Sequence, residues 1–338
     1  MNMFTPSSPH GSDSQWVLSE KAFKDLKVAL GSYGSSLSPE AHEALWSVLT
    51  TMESGLRGEV PPFFYLSSID PGSGKSLTVA IFLRAYKAAG FLPATGVLVC
   101  VSRLAEIETY LAAAGLDRDE VAVLTSDERL NALGAPEGVH DAAPVLFTTQ
   151  QRLAARGAQA SMEDLSAFFY CGKPRALRIW DESILLGSPK TARIDDLGAL
   201  LSPLRAAKPQ MATAVQSLMV EAWQASPNDI VRPAPILGGG WGKLGDLEVV
   251  RDLSGLAGND ARLVSAGTHL WLSGAAPTLP ADFAPVIILD ASGRVRETYR
   301  LWEKRKGGLK RFWRLHRTGC DHLKRGHHRA SAGWSGRL

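Results

Sequence analysis

Apolar residues along this chain recur in two spacings. Short runs, apolar at nearly every position, occur at residues 63–68, 96–102, 121–125, 144–149, 176–181 and 285–290. Each is the length of a strand. Between them lie stretches with one apolar side at helical spacing: 76–89 ending at Gly90, 104–114 ending at Gly115, 150–156 and 162–169. A strand that is apolar on both sides has to be covered on both faces. Such strands alternating with helices predict a parallel sheet between two helical layers.

Two helices are expected before the first strand. Leu18, Phe23, Leu26 and Leu30 share one side over 18–30. Ser38-Pro39-Glu40 reads as a helix start, with an N-cap, a proline at the first position and an acid in the first turn. That helix runs to about residue 53 and stops at Gly55, with Trp46 on its core side. The alternation breaks at 187–280. There, 194–206 and 210–225 are helical, 233–245 is a Pro/Gly-rich loop, and 263–265 can pair with 269–272 around Ala266-Gly267. We therefore expect an N-terminal arm and helix at 1–37, an α/β domain at 38–293 carrying a helical insertion at about 187–280, and an irregular tail at 294–338.

Composition narrows the class. Hydrophobic residues make up 45% of the 338 and charged residues 21%, which excludes a disordered chain, a collagen and a coiled-coil rod. Cys100, Cys171 and Cys320 form no CxxC pair, so neither a zinc ribbon nor a disulfide framework is expected, and a reducing cytoplasm is the expected compartment. No stretch approaches the roughly 20 apolar residues that span a bilayer. The net charge of +3 conceals a split. From Arg294 onward there are 14 basic residues and 3 acids, against 23 basic residues and 31 acids before it. An acidic body joined to a basic end points to a polyanionic partner such as nucleic acid, or to a solvated end.

The clearest chemistry is Asp70-Pro71-Gly72-Ser73-Gly74-Lys75-Ser76, placed between a strand and a helix. Glycines let the backbone curl so that successive N–H groups face phosphate oxygens, and the helix N-terminus adds positive potential. Lys75 is positioned for the β- and γ-phosphates and the Ser76 hydroxyl for Mg²⁺. The regular pattern places a glycine where this chain has Ile69. About a hundred residues on, Asp181 and Glu182 close a buried strand, at the edge where open α/β sheets bind ligands. There Asp181 suits Mg²⁺ and Glu182 suits a general base for water. The competing roles are a Gly-rich turn for the loop and a helix N-cap for Asp181.

In these elements the chain resembles the first motor domain of helicase-type P-loop ATPases, the superfamily of the DEAD-box and DEAH-box proteins. Pro71–Ser76 is similar to that family's first motif and Asp181-Glu182-Ser183 to its Asp-Glu box. Val99-Cys100-Val101-Ser102-Arg103 and Phe147-Thr148-Thr149-Gln150-Gln151-Arg152-Leu153 sit where the family has nucleic-acid motifs, and Asp290-Ala291-Ser292 resembles its coupling motif. The resemblance implies a RecA-like three-layer α/β sandwich binding ATP and Mg²⁺. It implies nucleotide contacts from Asp70 to Leu77, catalysis by Lys75 and Glu182, and metal binding by Ser76 and Asp181. Ser102, Arg103, Thr149 and Gln150 would meet DNA or RNA, and Ser292 would couple hydrolysis to movement.

Two departures shape the expectation. Asp181 and Asp290 are 109 positions apart, so either 187–280 is an insertion or Asp290-Ala291-Ser292 merely ends a core strand. After Ser292 only 46 residues remain, too few for the paired domain of roughly 150 residues that supplies arginines to the ATP cleft. We expect a chain with one motor domain, weak turnover unless a partner supplies an arginine, and a native reading frame ending near Lys310. The stretch 303–314 is basic with Phe312 and Trp313 suited to base stacking, but the composition beyond it builds no core. Cys320, His322, His327 and His328 match no compact zinc spacing, and His42 and His140 stand alone. A phage-type DNA-packaging ATPase and a non-enzymatic nucleic-acid binder with a degenerate nucleotide site are the alternatives.

Overall fold

Seven strands form one sheet in which every neighbouring pair is parallel. The computed structural model describes residues 17–34, 37–92, 95–136, 138–157, 161–185, 187–305 and 308–311. The chain runs α1 (Val17–Ser32), α2 (Pro39–Leu56), β1 (Phe64–Ser67), α3 (Lys75–Ala88), β2 (Val97–Val101), α4 (Leu104–Ala114), β3 (Val121–Leu124), α5 (Glu128–Asn131), β4 (Val145–Thr149) and α6 (Gln150–Gly157). A two-residue hairpin, β5 (Phe169–Tyr170) and β6 (Lys173–Pro174), leads to β7 (Leu177–Asp181). An excursion follows: β8 (Gly187–Arg193), α7 (Ile194–Ala207), α8 (Pro209–Gln224), β9 (Ile230–Val231), α9 (Glu248–Leu256), β10 (Ala261–Ala266) and β11 (His269–Pro277). The chain then returns through β12 (Val286–Leu289), α10 (Glu297–Arg305) and β13 (Leu309–Arg311). Strand order in the large sheet is β13-β1-β12-β7-β2-β4-β3.

The apolar runs explain the layers. In β2, Val97, Val99 and Val101 point into a core shared with α1 to α4, while Leu98 and Cys100 point into a second core with α6 and α10. Period-two alternation thus loads both faces, which only a sheet between two helical layers tolerates. The result is a three-layer α/β sandwich built on a parallel sheet. Because all seven strands are parallel, their C-terminal ends share one edge.

The excursion is α+β rather than only helical. It encloses a third core and a four-stranded sheet of order β8-β11-β10-β9, including the expected hairpin, in which Ala266 faces His269. It leaves from β7 and returns to β12, which are sheet neighbours, so the seven strands close around it without a gap.

Two of the expected boundaries cut through the fold. The first helix is not outside the domain: Leu26 and Leu30 of α1 lie in the core beneath α3. Its start is secured by Glu53 of α2. That buried carboxylate accepts from Leu18 N at 3.3 Å, Ser19 N at 2.8 Å and the Ser19 hydroxyl at 2.6 Å, and pairs with Arg57 at 2.7 Å. These are N–H groups that a helix start otherwise leaves without partners. At the other end, the basic segment begins inside the sandwich. Tyr299 and Trp302 of α10 are buried, and β13 pairs with β1 through Leu309, Lys310 and Arg311. Composition concealed this because cations alternate there with the few residues that pack. Phe312, Trp313 and the Cys320–His328 group lie outside the described residues.

Candidate functional site

Five chain segments meet at the C-terminal edge of the sheet. The loop after β1 holds Asp70 to Gly74 and opens α3. Gly72 and Gly74 have φ of +77° and +86°, a left-handed backbone that glycine adopts at little cost. Gly74 is the N-cap of α3 and has no side chain to cap it, so the first-turn N–H groups of Lys75, Ser76 and Leu77 remain available to an anion. A Cβ on Gly74 would lie 3.1 Å from Leu30, so α1 backs the loop directly. The Ser73 hydroxyl donates to the Asp70 carbonyl at 2.6 Å, and Thr78 Oγ1 donates to the Gly74 carbonyl at 2.8 Å, which brace the curl from both ends. Pro71 is exposed. The Lys75 ammonium donates to the carbonyls of Ile69 and Asp70, both at 2.9 Å. Burial pushes its pKa down, and the charges of Asp181, Asp290 and Glu182 partly restore it.

Asp181 closes β7 and is 4% exposed. Its Oδ2 accepts from the Ser76 hydroxyl at 3.1 Å and from the Tyr110 phenol at 2.5 Å. Burial raises its pKa; the Tyr110 and Ser76 hydrogen bonds oppose that rise. Glu182 is exposed and has φ of +78°, uncommon for a residue with a Cβ. Its N–H is held by the Leu289 carbonyl of β12 at 3.1 Å. The backbone therefore turns sharply at the second acid, and that strain is maintained by the neighbouring strand.

Asp290, after β12, is buried. Its Oδ1 accepts from Ser292 N at 2.8 Å and from the Ser292 hydroxyl at 2.7 Å. Its Oδ2 accepts from the Tyr299 phenol at 2.9 Å, and the same phenol accepts from Ile184 N at 3.1 Å. Tyr299 thus joins the loop of the two acids to the Asp290 segment. Gly293 is buried, and a Cβ there would sit 3.0 Å from both Leu66 methyls and collide with the Ser68 hydroxyl. We expect Gly293→Ala to cost about 1–3 kcal/mol of stability through overpacking. A denaturant midpoint equal to wild type would contradict this contact.

The four positions assigned to nucleic acid lie on the same edge, and the side chains of three are engaged within the chain. The Ser102 hydroxyl donates to Glu106 at 3.4 Å and 3.3 Å. Thr149 Oγ1 accepts from Arg152 N at 3.2 Å, capping α6. Gln150 Nε2 donates to the Asp181 carbonyl at 2.5 Å, so the start of α6 touches the acid pair. Arg103 is exposed at the start of α4.

Sequence reading missed Tyr110, Tyr299, Arg294 and Arg311. Tyr110 lies on the buried side of its helix and has no motif around it, so its hydroxyl became meaningful only where α4 meets β7. Tyr299 and Arg311 fell within the segment assigned to the tail. Arg311 pairs with Glu303 at 2.8 Å and donates to the Gly293 carbonyl at 3.0 Å. Arg294 pairs with the Asp70 carboxylate.

The donor set fits a nucleotide with Mg²⁺. Ser76 and Asp181 bring two hard oxygen ligands within 3.1 Å of each other beside the loop. Among the described residues no group of three or more His, Cys, Asp or Glu is placed to hold a metal. Among the described residues no helix is long and apolar enough to cross a membrane.

No protein-family model matches the chain, and no curated protein matches it. Solved structures similar in backbone include two of XPD proteins. Xpd4 from S. tokodaii shares 11% identity at a TM-score of 0.36, over 73% of this chain and 57% of that one. An apo XPD structure shares 12% identity at a TM-score of 0.38, over 78% and 56%. The chain thus spans less than two thirds of the length of either protein.

Proposed function

We propose that this chain is an ATP-dependent, helicase-like P-loop NTPase that works on nucleic acid. The observation that carries the reading is the 3.1 Å hydrogen bond between the Ser76 hydroxyl and Asp181 Oδ2. It joins a phosphate-type loop to a strand-end acid 105 positions away, across a sheet that brings both to one edge. In this reading the N–H groups from Gly72 to Leu77 and the Lys75 ammonium hold the phosphates. Ser76 and Asp181 hold Mg²⁺, which when bound neutralises charge on the β- and γ-phosphate oxygens. Glu182 orients the attacking water and takes its proton. Gln150 links the edge where DNA or RNA would lie to the backbone of Asp181, and Ser292 is tied to the same region through Asp290 and Tyr299.

The decisive experiment is ATP turnover measured with and without single-stranded and duplex nucleic acid. Stimulation of several-fold by either supports the proposal; a rate of zero under all conditions refutes it. Tyr110→Phe supplies a finer test. It removes one of the two side-chain donors described on Asp181 Oδ2 and leaves the ring to fill its site. Residues that orient a metal ligand typically contribute about 10–100-fold in metal affinity. We expect the Mg²⁺ concentration for half-maximal turnover to shift by about that factor, with KM for ATP at saturating Mg²⁺ little changed. An unshifted Mg²⁺ dependence in a folded variant would remove Tyr110 from the site.

A further inference from the structure

We infer that Arg294 is a phosphate-contacting arginine supplied by this chain itself, which exchanges the Asp70 carboxylate for the terminal phosphate of a bound nucleoside triphosphate. The inference rests on the nucleotide-binding reading above and adds to it a residue that distinguishes triphosphate from diphosphate.

The topology puts Arg294 at the loop. β12 is the immediate sheet neighbour of β1, with Ser67 facing Leu289, so the segment after β12 emerges beside the loop after β1. That segment is held in place by three contacts. Asp290 accepts from both the backbone and the hydroxyl of Ser292, Gly293 is packed against Leu66, and Arg311 donates to the Gly293 carbonyl. Arg294 follows directly, and its guanidinium pairs with the Asp70 carboxylate. The Lys75 ammonium reaches the Asp70 carbonyl at 2.9 Å. Two cations therefore converge on one residue at the mouth of the loop, one from the backbone side and one from the side-chain side.

The chemistry favours exchange. Both partners of the Arg294–Asp70 pair are substantially open to water, at 35% and 61% exposure, and such pairs are weak. A terminal phosphate carries more charge than a carboxylate and accepts a guanidinium fork with two parallel hydrogen bonds. A diphosphate lacks that group and leaves Arg294 on Asp70. The Asp70 carboxylate is then a competitor for the arginine, holding it near the site until triphosphate arrives.

The test is calorimetric titration of the full chain with Mg²⁺ and either ADP or a non-hydrolysable ATP analogue. Arg294→Ala should weaken the triphosphate analogue about tenfold or more while ADP changes less than about twofold. Asp70→Asn should tighten the analogue more in the wild-type background than in the Arg294→Ala background, where only the repulsion between carboxylate and phosphate is relieved. Arg294→Lys should restore part of the preference, since it keeps the charge and loses the fork. Equal weakening of both nucleotides by Arg294→Ala, or no weakening of either, overturns the inference while leaving nucleotide binding standing. If wild type binds neither nucleotide and matches Lys75→Ala, the nucleotide reading itself falls, and the inference with it.

Discussion

Lys75→Ala is expected to abolish measurable ATP binding. The Lys75 ammonium is half-buried at the head of α3, within electrostatic reach of Asp181, Asp290 and Glu182. Removing it takes away the cation of the loop and leaves those acids to repel phosphate. Charge-assisted hydrogen bonds contribute about 1.5–3 kcal/mol each, so losing two or more at the β- and γ-phosphates corresponds to a fall in affinity of at least about a hundredfold. Fold stability should change little, because among the described residues Lys75 donates to the Ile69 and Asp70 carbonyls of its own loop. Calorimetry with ATP and Mg²⁺ checks the first expectation and a thermal melt the second. A dissociation constant within twofold of wild type would sink the phosphate-loop assignment.

Glu182 carries the second large effect, and it separates chemistry from folding. Glu182→Gln keeps size and hydrogen bonding but cannot take a proton. We expect ATP affinity to hold within a few-fold while turnover falls about 10²–10⁴-fold, the usual contribution of a positioned general base. A turnover rate equal to wild type would refute the role. Glu182→Gly should also lose turnover, yet its φ of +78° is one that glycine adopts freely. Relief of that strain, at about 1 kcal/mol or more, matches or exceeds the cost of about 0.4–1 kcal/mol from glycine's extra entropy in the unfolded chain, so we expect stability equal to or above wild type. An acid placed where glycine fits better is the pattern of a residue retained for function. A large loss of stability in Glu182→Gly would show that the side chain holds the fold instead.

The parallel sheet was legible because it depends on local pattern. Runs such as 97–101 and 286–289 are apolar at every position, and only a strand covered on both faces accommodates that. The loop from Asp70 to Ser76 was legible because its glycines and lysine sit between a strand and a helix. The insertion was recognised by a break in periodicity, but its four-stranded sheet was not, since β9 has two residues and β8 mixes Pro189, Lys190 and Thr191 with small residues. The end of the fold was placed too early. The charge change at Arg294 is real, yet Tyr299, Trp302 and Leu309 carry the packing of that segment, and a count of charges does not see them.

Sequence alone determined which residue types are present and which element each belongs to: a glycine loop with Lys75 and Ser76, an acid pair ending a strand, and an Asp-Ala-Ser after another. The tertiary structure decided which of these touch. Strand order cannot be read from sequence order: β12 inserts between β1 and β7 although about a hundred residues separate it from β7. That insertion brings Asp290, Gly293 and Arg294 to the loop after β1, sets the turn at Glu182 through Leu289, and lets Tyr299 bridge two loops. Tyr110 likewise met Asp181 only when α4 packed against α3 and β2. Local spacing specifies helices and strands because backbone hydrogen bonds and side-chain faces repeat at fixed intervals. Contacts between segments depend on how those faces are buried together, and no interval along the chain encodes that.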